Sequence, residues 1–248
     1  MTSAAHPPAG PALWEGVRRG VLLGAAILAL TLAPPGLATW RSPLNTAIEP
    51  PVAPTPVEFG AHPASADARL LADWVVQQRD NRGHPFAILD KRDARVFVFD
   101  HLGRLIDSSP VLLGAAAGDD SVAGIGSRPI AQVRPEERTT PAGRFASRPG
   151  RNALGEDVVW VDYDAAVSMH RVRLVDPAER RLERLASSDP AQRRISYGCI
   201  NVPVEFFDTV IQPLLGARQG VVYVLPDTKE VREVFAGVAH DSSVSPRP

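Results

Sequence analysis

The residue with the clearest chemical potential is Cys199, the only cysteine in 248 residues, within the string Arg193-Arg194-Ile195-Ser196-Tyr197-Gly198-Cys199-Ile200-Asn201-Val202. A single thiol cannot close an internal disulfide, so it is either a small buried hydrophobe or a reactive group. A nucleophilic thiol needs thiolate character, a base, and donors for an oxyanion. Gly198 lets the chain bend and lets another group approach without a Cβ in the way. Pro203 suits the first position of a helix, and Val204, Phe207, Ile211 and Leu214 repeat on one face of it. Cys199 is therefore expected just ahead of a positive helix N-terminus, which lowers a thiol pKa.

The base should be a histidine. His6, His62 and His240 fall in tail and linker segments, and His84 and His101 in turns. His170 lies in a strand pattern with Ser168, Val172 and Leu174 on its face, and is the candidate base. The alternative for such a residue is a hydrogen-bonded structural histidine. No His/Cys/Asp spacing matches a metal site, and Gly124-Ile125-Gly126 lacks the strand-then-helix setting of a nucleotide loop. The reading calls for no metal or cofactor. A redox role is weak, because no second cysteine can resolve a disulfide.

The elements that must position these residues are mostly short strands. Phe86 to Leu89, Arg95 to Phe99, Leu105 to Ser109, Val111 to Leu113, Asp157 to Val161, Val167 to Leu174 and Val221 to Leu225 are β-rich runs. Asp90-Lys91-Arg92-Asp93 and Asp100-His101-Leu102-Gly103 read as hairpin turns, and Gly114 to Gly126 as a loop. Ser65 to Arg79 has helical spacing with Ser65 as the cap, and Pro203 to Leu215 is the second helix. The Arg/Glu-rich stretch Asp176 to Arg194 reads as a solvated excursion. The sum is a mainly β fold with helical decoration, a sandwich or small barrel.

Composition limits the partners. With 27 basic and 28 acidic residues, a net charge of -1 and 6% aromatics, nothing points to nucleic acid. Arg18-Arg19 precede an apolar run, Val21 to Ala33, and then Pro34-Pro35-Gly36-Leu37-Ala38. This pattern reads as export, either by a signal peptide or by an uncleaved N-terminal membrane anchor over 1–40. A Pro-rich linker follows over 41–64, then a helical lead-in over 65–84, the main domain over 85–226, and a tail over 227–248.

Two motifs give the chain a resemblance to the L,D-transpeptidase (YkuD) catalytic domain. Thr140-Pro141-Ala142-Gly143-Arg144-Phe145 resembles that family's Thr-Pro-x-Gly-x-Phe segment. His170 followed by Ser196-Tyr197-Gly198-Cys199-Ile200-Asn201 resembles its upstream His and its Ser/Thr-His-Gly-Cys signature. The resemblance implies a YkuD-like β-sandwich or barrel and a periplasmic or cell-envelope enzyme of peptidoglycan. Cys199 would be the nucleophile on stem peptides through a thioester, and His170 the base. Gly198, Ser196, Asn201 and Tyr197 would shape the substrate and oxyanion site. The acceptor would be a second stem, an envelope protein, or water in a carboxypeptidase-type hydrolase; a non-catalytic peptidoglycan-binding module is the other reading. Tyr197 stands where the family has a histidine, Arg171 follows His170 where a small residue is usual, and the His-to-Cys insertion is long.

Overall fold

A computed structural model describes residues 55–238. The apolar run of the export segment, most of the Pro-rich linker and the end of the tail lie outside these residues. Among the described residues, no helix is long and apolar enough to cross a membrane.

The fold is mainly β, as expected. Ten strands are present: β1 Phe86–Asp90, β2 Arg95–Phe99, β3 Leu105–Pro110, β4 Leu113–Gly114, β5 Gly143–Arg151, β6 Asp157–Asp162, β7 Val167–Arg171, β8 Arg194–Ser196, β9 Ile200–Val202 and β10 Gly220–Val224. Eight form one sheet in the order β3-β2-β1-β10-β5-β6-β7-β9, and β4 pairs with β8. Leu112, just past β3, bridges Asn201 of β9 at the far edge, so the sheet nearly closes on itself. Parallel pairing occurs at β1–β10 and β7–β9, and the other pairs within the large sheet are antiparallel.

The closed side encloses one core. Ala87, Leu89, Val96, Val98, Val159, Met169, Ile200, Val202 and Val222 point into it, plugged by the helical segment Val204–Phe206 (α2) and its continuation Phe207–Gly216. That continuation is wound as a π-helix. It contains Pro213, which has no N–H for an i→i−4 bond and whose ring would meet the carbonyl of residue 209 in a regular helix. The winding moves the buried face to Phe206, Phe207, Val210, Ile211 and Leu215, and leaves Val204 exposed. The expected stripe is corrected at Val204, while Leu214 is half-buried against the core.

The opposite face of β1, β2 and β10 carries a second core. Helix α1, Ala66–Gln78, is capped as expected: the Ser65 hydroxyl accepts from the Ala68 N–H at 3.0 Å, and Arg79 ends the helix in the left-handed region. Its Ala68, Leu71, Ala72 and Val75 pack on Phe86, Ile88, Phe97, Phe99 and Tyr223. Phe59, Val231, Phe235 and Val238 join them. Residues from the expected linker, lead-in and tail thus pack as one body with 85–226. Both faces of these strands are covered, which is why β1 and β10 are buried throughout and their apolar residues do not alternate with polar ones.

Strand β5 was not anticipated. It pairs with β10 through 143–147 and with β6 through 148–151, joining the two halves of the sheet. Its sequence, with three arginines, two glycines and a proline, has no period-two apolar signal.

Candidate active site

Strands β7 and β9 build the site. Their parallel register pairs Met169 with Ile200 and His170 with Asn201. Val167, Met169, Ile200 and Val202 therefore face the core, and strand alternation puts Ser168 and His170 on the other face. Cys199, one residue before β9, falls beside Ser168. The Ser168 hydroxyl lies 3.8 Å from the Cys199 thiol, and the Ala166 carbonyl 3.6 Å from it.

The structure brings His170 and Cys199 together. The His170 imidazole lies close enough to the sulfur to pull the thiol pKa down, and its Nδ1 lies 2.7 Å from the Arg171 carbonyl. A carbonyl only accepts, so Nδ1 carries a proton, and Nε2 is the ring nitrogen left to exchange one. The arrangement is a thiol, a histidine beside it, and a backbone carbonyl that orients the ring. Burial pushes the half-buried Cys199 thiol up, but His170, through its hydrogen bond and charge, and hydrogen bonds from Ser168 outweigh it; the net shift is downward.

The expected helix N-terminus behind Cys199 is corrected: β9 intervenes before α2. The lowered thiol pKa has its source in the neighbouring strand.

The structure places the other candidates around the Cys199 loop. Ser196 (3% exposed) and Asn201 (1%) are buried, and both donate to the Cys199 carbonyl, at 2.6 and 3.2 Å. The Ser196 hydroxyl also accepts the Gly198 N–H at 3.1 Å, and Asn201 accepts from Arg181 at 2.7 Å. They brace the Cys199 loop from beneath. Gly198 contributes conformation: its φ is +127°, and a Cβ there would sit 2.7 Å from the Thr139 carbonyl oxygen. Tyr197 is 40% exposed and points outward, with the Arg138 guanidinium 4.1 Å over its ring.

Thr140 is the site residue that sequence reasoning quoted within a motif but gave no role. It is buried between Gly114 and Gly198. Its hydroxyl accepts the Gly114 N–H at 3.0 Å and donates to the Gly198 carbonyl at 2.9 Å. Ser168 was likewise named only as a face-mate of His170. The excursion after β7 is only partly solvated. Leu185 packs with Leu112 and Val172, while Arg193 is buried and donates to the carbonyls of Asp93, Ala94 and Ser187.

A cavity of about 380 Å³ opens beside His170, lined by Glu156, Asp157, Arg171, Arg173 and Val204 among others. Arg171 is held against it by Asp208 and by the Phe207 ring, 4.3 Å away. The site therefore sets a thiol of lowered pKa beside a histidine, next to a cleft bearing both signs of charge.

No family model and no curated protein matches the chain. Solved structures similar to it include an L,D-transpeptidase from Xylanimonas cellulosilytica, 14% identical, covering 57% of this chain and 60% of that one, with a TM-score of 0.34. The catalytic domain of an L,D-transpeptidase from E. faecium is 17% identical, over 58% and 98%, at 0.32. The helical cell shape determining protein Pgp2 from Campylobacter jejuni is 14% identical, over 64% and 57%, at 0.37. The chain thus spans about three fifths of the length of the first of these. Scores this low assign no residue and no activity, and the reading of the site rests on its own geometry.

Proposed function

We propose that this protein is a cysteine-dependent L,D-transpeptidase of the YkuD kind, acting on peptidoglycan stem peptides in the cell envelope. The observation that carries the reading is the pairing of Cys199 with an oriented His170 on one sheet face, at the two places where the sequence resembles that family's motifs.

The chemistry follows from the geometry. The Cys199 thiolate attacks the carbonyl of the third stem residue, with the thiol proton held at His170 Nε2. The C–S bond forms, the C–N bond to the terminal D-alanine breaks, and the imidazolium gives its proton to the departing amine. An acceptor amine then attacks the thioester and passes a proton to His170, and the thiolate is released. The Gly198 N–H is engaged by Ser196. The Cys199 N–H makes no hydrogen bond among the described residues, and is the donor suited to the oxyanion. The cleft of Glu156, Asp157, Arg171 and Arg173 suits a stem that carries both ammonium and carboxylate groups.

The test is mass spectrometry of the full-length protein with a disaccharide-tetrapeptide, beside Cys199→Ala. A Cys199-dependent acyl adduct, D-alanine release and 3–3 cross-linked dimers are expected. D-alanine release with free tripeptide stems and no dimers would make the protein a hydrolase. No adduct on a folded protein would refute the enzyme reading.

A further inference from the structure

Lys91 is the most completely buried charge among the described residues, with 0% exposure, in the β1–β2 turn. Its ammonium donates to the Gly118 carbonyl at 2.6 Å, to Asp119 Oδ1 at 2.8 Å and to the Thr140 carbonyl at 2.8 Å, and lies 3.4 Å from Asp227 Oδ2. All three of its protons are used. Asp119 in turn accepts from the N–H groups of Asp227, Thr228 and Lys229 and from the Thr228 hydroxyl. Asp227 binds the Arg194 guanidinium at 2.6 Å, and Arg194 also donates to the Lys91 carbonyl.

A buried ion cluster is a poor means of gaining stability, since apolar residues of like volume usually do as well. What such a cluster does supply is fixed geometry. Here it grips the Cys199 loop along two routes. One runs from Lys91 through the Thr140 carbonyl to the Thr140 hydroxyl and on to the Gly198 carbonyl. The other runs from Lys91 through Asp227 to Arg194, which opens β8 two residues before Ser196. Gly114 and Gly198 leave room for nothing bulkier than hydrogen on either side of the 138–140 segment, so displacement of Thr140 is transmitted to the loop.

We infer that Lys91, buried with Asp119 and Asp227, is a positioning residue for Cys199: it fixes Thr140, and with it the loop that holds the thiol beside His170. The inference takes Cys199 to be the reactive group of the proposed function, and thiol alkylation tests it without any peptidoglycan substrate. The charged groups facing the cluster are Asp119, Asp227 and Arg194, and the one facing the thiol is His170.

The experiment is the rate of iodoacetamide alkylation of Cys199 in the full-length protein across pH, with a thermal melt of each variant. Lys91→Met and the charge-matched Lys91→Met/Asp119→Asn should alkylate about five-fold or more slowly at neutral pH, with the midpoint moved upward. Thr140→Val should do the same, and Thr140→Ser, which keeps the hydroxyl, should restore the wild-type profile. If the Lys91 variants melt earlier but alkylate with the wild-type rate and midpoint, Lys91 is structural filler and the inference fails. If they do not fold, the Thr140 pair decides: identical profiles for Val and Ser overturn it. A wild-type thiol that alkylates normally but forms no acyl adduct refutes the transpeptidase reading and leaves the positioning result intact.

Discussion

Gly198→Ala is the sharpest single-residue test of how the Cys199 loop is built. The backbone at Gly198 has φ of +127°, a region closed to side-chain-bearing residues. The added Cβ would lie 2.7 Å from the Thr139 carbonyl oxygen. That oxygen belongs to backbone held between Gly114 and Gly198, so it cannot swing aside as the end of a flexible side chain would. Backbone strain of this kind costs about 1–3 kcal/mol, and overpacking costs about 1–3 kcal/mol more. Partial relaxation of the loop would bring the total to about 3 kcal/mol, a fall in Tm of about 6–12 °C for a domain of this size. Relaxation would also loosen the Thr140–Gly198 hydrogen bond and slow Cys199 alkylation. Calorimetry and iodoacetamide kinetics on one preparation would read both. A variant with a Tm within about 1 °C of wild type and unchanged alkylation would refute this account of the loop.

Three further outcomes are expected. In His170→Gln the partner that opposes burial is gone, so the Cys199 alkylation midpoint should rise to or above the ordinary thiol value of about 8.5; a midpoint that stays put would remove His170 from the site. Burial pushes the Asp119 carboxyl up, but Lys91, Thr228 and two backbone N–H groups hold it well below the usual range. A depressed acid contributes stability that is present above the unfolded pKa of about 4 and lost as pH falls through the folded one, so Asp119→Asn should flatten the loss of urea resistance below about pH 4, and an unchanged acid slope would count against the cluster. Phe207→Ala, which empties the π-wound plug of the closed core, should cost about 3–5 kcal/mol by denaturant titration, and a loss under about 1 kcal/mol would mean that the core is packed otherwise.

Local sequence determined the parts of this protein whose cause is local. Ser65 caps α1 because its hydroxyl meets an N–H three residues on, and Asp90 and Asp100 close the two hairpin turns by accepting N–H groups within four residues. The candidate nucleophile and base were likewise legible: one cysteine after a glycine, and one histidine within a strand pattern. The runs Phe86 to Leu89 and Val221 to Leu225 are apolar enough to be read as strands.

The tertiary structure decided what depends on residues far apart in the chain. Strand β5 is a strand because β10 and β6 offer it edges on both sides, and no apolar pattern in Gly143 to Arg151 announces that. Ser196 and Asn201 brace the loop because Arg181 and the Cys199 carbonyl meet them in a buried position. The thiol is lowered by a histidine on a neighbouring strand, where sequence order suggested a helix end. Lys91 looks like a turn lysine in the string Asp90-Lys91-Arg92-Asp93, yet it is buried because Gly118, Asp119, Thr140 and Asp227 converge on its ammonium. Periodicity and spacing report only on neighbours within a few residues. Which distant groups will satisfy a buried charge is settled when the sheet closes.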